Sequence, residues 1–132
     1  MDRPPDVQVI ATTAEGTRTA LAEAKRLASR VGPASIVLLV PQIVSPSLAI
    51  EGPRGTARVA AQYQDLATGA GVDATVRLCV CQGYREVFRW MVGTPSVIVI
   101  GGRRRWWWPT TAQRMARDLK KAGHAVVFAV VG

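Results

Sequence analysis

The sequence predicts an α/β protein whose parallel β-sheet is covered by helices on both faces. Five short apolar segments alternate along the chain with segments of helical periodicity, and right-handed crossovers join strands in such units into a parallel sheet. With 132 residues, 48% hydrophobic and 20% charged, the chain has the size and composition of one ordinary globular domain. We therefore expect a single domain over residues 1–132.

The first three predicted elements are a strand, a helix and a second strand. VQVIATT (7–13) is a short apolar run. The apolar residues that follow have the spacing of a helix face, and they are Ala20, Leu21, Ala24, Leu27, Ala28 and Val31. Gly32 is a candidate C-cap with Pro33 behind it. ASIVLLV (34–40) is continuously apolar, which predicts a central strand buried on both faces.

A loop, a helix and an edge strand are expected next. The segment 41–55 contains three prolines and no periodicity, which predicts the long loop of the molecule. A helix then ends at Gly71, and its apolar face comprises Val59, Tyr63, Leu66, Ala67 and Ala70. VDATVRLCVC (72–81) alternates apolar residues with polar or small ones, as a strand with one less buried face does.

The last third of the sequence repeats the pattern. GYREVFRWMVG (83–93) is long enough for a short helix, and fully apolar strands are expected at 96–101 and 125–131. Between those strands, an amphipathic helix has its apolar positions at Ala112, Met115, Ala116, Leu119 and Ala122. Thr110 and Gln113 form a capping-box pattern at its start, and Gly123 ends it.

Three stretches of the sequence resemble the universal stress protein family, and together they span nearly the whole chain. VQVIATTAEGTRTALAEAKRLAS is similar to the family's first strand and helix. VCQGYREVFRWMVGTPSVIVIGG resembles its Val-x-x-Gly turn, helix and fourth strand, and TTAQRMARDLKKAGHAVVFAVV resembles its closing helix and strand. The resemblance implies a flavodoxin-like sheet, of the adenine nucleotide alpha hydrolase-like type, with strand order 3-2-1-4-5. In such sheets ligands bind where strands 1 and 4 diverge.

The resemblance also implies a homodimer, formed through the strand at 125–131, because an apolar edge strand needs covering. Members of the family either bind ATP or lack that ability. The ATP-binding members carry a loop of the form Gly-x-x-Gly, nine residues, then Gly-Ser or Gly-Thr, in which glycines let backbone N–H groups approach phosphate.

That glycine loop is absent from this sequence. Counting from Gly101 or Gly102, the second glycine would fall at Arg104 or Arg105, and the following pair would fall near Ala116. In place of the family's Asp after the first strand stand Thr12 and Thr13, although Gly83 is retained. We therefore expect no ATP binding in the family's usual manner and no cofactor, with ATP or another nucleotide as the alternative.

The segment GGRRRWWWPTT (101–111) is the candidate site. Guanidinium groups, free N–H groups at a helix start and the helix dipole all favour a phosphate. The candidate residues for binding an anion or nucleotide are Thr12, Thr13, Gly83, Gly101, Gly102, Arg103, Arg104, Arg105, Thr110 and Thr111. Three explanations remain open for Trp106, Trp107 and Trp108: they plug the crevice, they form an interface, or they stack on a ligand.

The net charge of +8 is concentrated near this segment, because seven basic residues and one acidic residue lie between Gly101 and His124. Such a patch favours anionic partners, so a nucleic-acid-associated protein is a further hypothesis. No apolar run approaches the length of a membrane span, and the N-terminus does not resemble a signal peptide. We expect a cytoplasmic protein.

No catalytic or metal site is expected. Cys79 and Cys81 lie two apart on a predicted strand and are interpreted as buried apolar residues, and His124, the single histidine, as a helix-end or surface residue. The carboxylates form no evident pair and there is no nucleophile elbow. The sequence therefore predicts a non-enzymatic universal-stress-like protein, a stress-response or regulatory dimer. The alternative is a sensor that binds a nucleotide or other phosphorylated ligand through 101–111.

Overall fold

Five parallel strands form one sheet in the order β3-β2-β1-β4-β5. The computed structural model describes residues 7–31, 35–43, 52–81, 97–103 and 110–131. The strands are β1 (Val7–Ile10), β2 (Ile36–Ile43), β3 (Ala74–Cys81), β4 (Val97–Gly102) and β5 (Ala125–Val130). The order 3-2-1-4-5 is confirmed, and β3 occupies the edge position that its alternating sequence predicts.

In the described part of the chain, three helices pack on the two faces of this sheet. They are α1 (Ala14–Val31), α2 (Gly52–Gly69) and α3 (Thr111–Lys121). On one face, α1 and α2 cover a buried cluster that includes Leu21, Ala24, Leu38, Ala67 and Val99. On the other face, α3 covers a second cluster that includes Ile10, Ile98, Ile100, Met115 and Leu119. The predicted helix over 83–93 lies outside the described residues, as do Gly32 and Pro33.

The central strand β1 is shorter than both of its neighbours. Ile10, its last residue, pairs with Leu39 of β2 and Ile100 of β4, whereas β2 continues to Ile43 and β4 to Gly102. The chain leaves β1 towards β2 and leaves β4 towards β5, so the connections diverge at this point. A depression therefore forms at the carboxyl edge of the sheet, where ligands of such folds bind.

The expected loop over 41–55 is too long at both ends, because β2 extends to Ile43 and α2 begins at Gly52. Leu39 O accepts a hydrogen bond from Ala11 N (2.8 Å), so the backbone groups of Leu39 point towards β1. The backbone of Pro41, two residues later, points to the same side, where β1 has already ended. Pro41 therefore costs the sheet no hydrogen bond. Pro53 lies in the first turn of α2, where N–H groups have no partner within the helix.

Of the three predicted helix ends at glycine, the two that lie in the described residues are confirmed. Gly71 and Gly123 have φ values of +71° and +95°, the left-handed conformation that ends helices. After α3, His124 N donates to Leu119 O (3.1 Å) and Gly123 N donates to Lys120 O (3.0 Å), which is the paired bonding of a Schellman motif. His124 thus takes part in the helix end through its backbone. None of the described helices has the length and apolar character needed to cross a membrane.

Candidate functional site

A crevice of about 780 Å³ opens at the carboxyl ends of β1 and β4. We call it the carboxyl-edge crevice. Its described lining residues are Ala11, Thr12, Thr13, Ala14, Glu15, Pro41, Tyr63, Gly101, Gly102, Arg103, Thr110, Thr111, Ala112 and Met115. Seven of the predicted site residues are therefore brought together here: Thr12, Thr13, Gly101, Gly102, Arg103, Thr110 and Thr111. Gly83, Arg104, Arg105 and Trp106–Trp108 lie outside the described residues.

The floor of the crevice is a close approach of two backbones. A Cβ atom at Gly101 would lie 1.8 Å from Gly16 O, and one at Gly16 would lie 2.5 Å from Gly101 O. A Cβ at Gly102 would lie 2.8 Å from the Cβ of Ala112. These glycines let the first turns of α1 and α3 pack directly on the end of β4, so their absent side chains serve packing.

Thr12 joins the end of β1 to the end of β4. Its Oγ1 donates a hydrogen bond to Gly101 O (2.7 Å), and its backbone N donates to Oγ1 of Thr17 (2.9 Å), a polar residue that is fully buried. Thr13 Oγ1 accepts from Gly16 N (3.0 Å) and so caps α1. The hydroxyl groups of Thr12 and Thr13 are therefore engaged in building the crevice wall.

Thr110 caps the start of α3, and the predicted capping box is confirmed. Thr110 Oγ1 accepts from Gln113 N (3.2 Å), and Gln113 Oε1 accepts from Thr110 N (2.8 Å). Thr110 Oγ1 also donates to Arg103 O (3.2 Å), which ties the end of β4 to the start of α3. This cap leaves the N–H groups of Thr111 and Ala112 without a partner inside the helix.

Two helix N-termini consequently open onto one crevice. The N–H groups of Ala14 and Glu15 at the start of α1 have no partner inside their helix, like those of Thr111 and Ala112 at the start of α3. All four residues line the crevice. Each helix N-terminus carries a partial positive charge of about half an elementary charge, so the crevice attracts anions.

Arg103 and Glu15 form an ion pair at this site. Arg103 Nη2 and Glu15 Oε2 are 3.4 Å apart, and their side chains are 68% and 63% exposed. Exposed pairs of this kind contribute about 0–1 kcal/mol to stability. Glu15 was not predicted as a site residue because its contact to Arg103 joins residues 88 apart, although its place in the first turn of a helix is a local signal.

The lining of the crevice also includes apolar side chains that were not predicted from the sequence as part of a site. Pro41 of β2, the half-buried Tyr63 of α2 and the buried Met115 of α3 contribute to it. Tyr63 and Met115 were predicted only as members of helix core faces. Periodicity cannot distinguish a core residue from one whose side chain also lines a cavity. The crevice lining thus combines polar, positively polarised groups with apolar side chains.

Cys79 and His124 do not line the crevice. Cys79 is buried in the core cluster under α3, and His124 lies after α3 with its side chain partly exposed. Within the described part of the chain, no group of three or more His, Cys, Asp or Glu side chains could hold a metal ion.

Comparisons with known proteins identify the fold. No family model and no curated protein matches the sequence. Among solved structures, a universal stress protein from Archaeoglobus fulgidus superposes with a TM-score of 0.65 at 16% sequence identity, covering 94% of this chain and 92% of its own.

Two further structural neighbours contain a bound nucleotide. A universal stress protein family protein from Arabidopsis thaliana with AMP bound has a TM-score of 0.60 at 16% identity, covering 98% of this chain and 93% of its own. A universal stress protein in complex with cAMP has a TM-score of 0.59 at 16% identity, covering 98% and 100%. The chain therefore has the flavodoxin-like α/β fold of the universal stress proteins, as the sequence resemblance predicts.

Proposed function

We propose that this chain is a non-enzymatic universal-stress-like protein whose carboxyl-edge crevice binds a small phosphorylated ligand, an adenine nucleotide in the first instance. The observation that carries the proposal is the convergence of two helix N-termini and Arg103 on one crevice of about 780 Å³. Pockets for small ligands commonly have volumes of about 300–1,000 Å³. A mononucleotide fits within that size.

The polar side of the crevice supplies what a phosphate needs. Backbone N–H groups at helix starts and a guanidinium group are the usual partners of phosphate oxygens. The AMP and cAMP bound to two structural neighbours support the same ligand class for this fold. The lining also has apolar surface from Pro41, Tyr63 and Met115, on which a base or another flat group can pack.

The proposal does not depend on the family's glycine loop. Gly101 and Gly102 are committed to close packing with Gly16 and Ala112, and the sequence has arginines where the second glycine is needed. In our proposal the phosphate is held by the start of α3 and by Arg103, so ATP is not bound in the family's usual way.

A binding role is favoured over catalysis by how the crevice hydroxyls are used. Those of Thr12, Thr13 and Thr110 all bond to backbone groups, and Glu15 is the single carboxylate among the described lining residues. The described lining therefore offers no pair of carboxylates for general acid and base catalysis. We further propose a homodimer through β5 and a regulatory or stress-response role in the cytoplasm, as the family resemblance implies.

Calorimetric titration of the purified protein with AMP, cAMP and ATP tests ligand binding. The wild type is compared with Arg103→Gln and with the control Arg30→Gln. Arg30 lies in the last turn of α1, near the amino-terminal ends of the strands and away from the crevice. We expect Arg103→Gln to weaken nucleotide binding about tenfold or more, because it removes a charge-assisted contact, and Arg30→Gln to leave it nearly unchanged.

Two outcomes would overturn this proposal. Absence of binding by every nucleotide would favour the hypothesis that Trp106–Trp108 plug the crevice. Equal weakening by both variants would favour a nonspecific effect of net charge. Single-stranded DNA is also titrated at two salt concentrations. If its binding falls steeply with salt and is unaffected by Arg103→Gln, the basic surface attracts nucleic acid in a general way.

A further inference from the structure

Glu15 is an acidic residue in a crevice that otherwise attracts anions. We propose that Glu15 sets the charge preference of the crevice, favouring phosphodiesters, which carry one negative charge, over phosphomonoesters and polyphosphates. This inference rests on the proposed function, because it concerns how a phosphorylated ligand is selected at the same site.

The contact with Arg103 places Glu15 beside any phosphate that Arg103 binds. Arg103 Nη2 and Glu15 Oε2 are separated by 3.4 Å, and both residues line the crevice. This distance exceeds the roughly 2.7–2.9 Å of a strong charge-assisted bond, and both side chains are mostly exposed. The pair is therefore weak, and a ligand phosphate can displace the carboxylate from Arg103. The displaced carboxylate then lies a few ångströms from the ligand.

The charges of the described lining residues favour a ligand of low charge. Arg103 and Glu15 cancel, and the two helix N-termini together contribute about one positive charge. A phosphodiester balances that charge. Each additional negative charge on a ligand is repelled by Glu15 and meets no further cation among the described lining residues.

A purely structural role for Glu15 leads to a different expectation. An acidic side chain in the first turn of a helix stabilises the helix through its dipole, and α1 has Glu15 in that turn. If this were its whole role, replacing it would alter stability slightly and would alter the affinity for all ligands equally. The dependence of affinity on ligand charge therefore separates the two roles.

The test compares wild type, Glu15→Gln and a matched control, Glu23→Gln. Glu23 lies on the same helix, pairs with Arg26 (2.5 Å) and does not line the crevice. Dissociation constants are measured for cAMP, AMP and ATP, which carry about one, two and four negative charges, at low salt without divalent cations. Thermal unfolding of each variant establishes that it is folded.

We expect Glu15→Gln to tighten binding in proportion to ligand charge, by about threefold for each negative charge, from Coulomb's law at about 6 Å in water. The effect should shrink as salt is added, and Glu23→Gln should change the three affinities little. Equal changes for all three ligands, or none, would overturn the inference while leaving the proposed function intact. Failure of all proteins to bind any nucleotide would overturn the proposed function, and the inference with it.

Discussion

At the scale of single residues, Gly16 and Gly101 fix how closely α1 approaches β4. Each would place a Cβ within 2.5 Å of the other's backbone oxygen, and Thr12 Oγ1 donates to the same Gly101 oxygen. Because the obstructing atoms belong to the backbone, no side-chain rotation relieves the clash. The pair therefore determines the geometry of the crevice floor.

We expect Gly101→Ala to destabilise the protein by about 3 kcal/mol, the upper end of the usual range for overpacked interiors. Gly69→Ala is the matched control, because a Cβ there meets nothing within 4 Å, and it should stabilise the protein by about 0.5 kcal/mol. Urea unfolding measures both changes. If Gly101→Ala does not fold, Gly16→Ala provides a second reading. Wild-type stability of both crevice variants would contradict the described packing.

At the scale of elements, α3 is held at both ends by local chemistry. Thr110 and Gln113 satisfy each other's backbone donors at its start, and the Schellman bonds at Gly123 and His124 satisfy carbonyl groups at its end. Leu119 and Met115 anchor the helix in the core between these caps. Because Thr110 also bonds to Arg103 O, the start of α3 and the end of β4 are held together.

Thr110→Ala should lower the free energy of unfolding by about 1 kcal/mol, the usual cost of losing an N-cap. Thr110→Ser retains the hydroxyl group and should stay within a few tenths of a kcal/mol of wild type. Urea unfolding monitored by circular dichroism measures both. Equal stability of the Ala and Ser variants would show that the cap contributes nothing.

At the scale of the whole molecule, the free edge at β5 is the surface that a second copy would cover. Val131 N donates to Gly102 O (3.0 Å), so alternation along β5 directs the backbone groups of Val126, Phe128 and Val130 away from β4. Val130 on this strand is a large apolar residue that is 46% exposed. An apolar edge of this kind promotes pairing with another strand.

We expect Val130→Lys to convert the proposed homodimer into a monomer, because a charged side chain on an edge strand opposes strand pairing. Thr75→Lys places the same charge on β3, at the other edge of the sheet, and should leave the dimer intact. Light scattering coupled to size-exclusion chromatography measures the mass of each. A wild type that is monomeric at high concentration would contradict the proposed dimer.

Local and long-range features differ in how far the sequence predicts them. The strands, the cap at Thr110 and the helix end at Gly123 follow from apolar runs and cap chemistry over a few residues. The loop was wrongly predicted to begin at Pro41, because the cost of proline in a strand depends on where the neighbouring strand ends. The contacts of Thr12 with Gly101 and of Glu15 with Arg103 span 89 and 88 positions. Periodicity contains no information about such contacts.

The early end of β1 has a consequence for how this fold acquires new ligands. The crevice exists because β1 stops at Ile10 while β2 and β4 continue. The strand lengths that leave this space belong to the sheet and not to the segment between β4 and α3. Evolution or a protein engineer can therefore change that segment to alter the crevice lining while keeping the sheet that supports it.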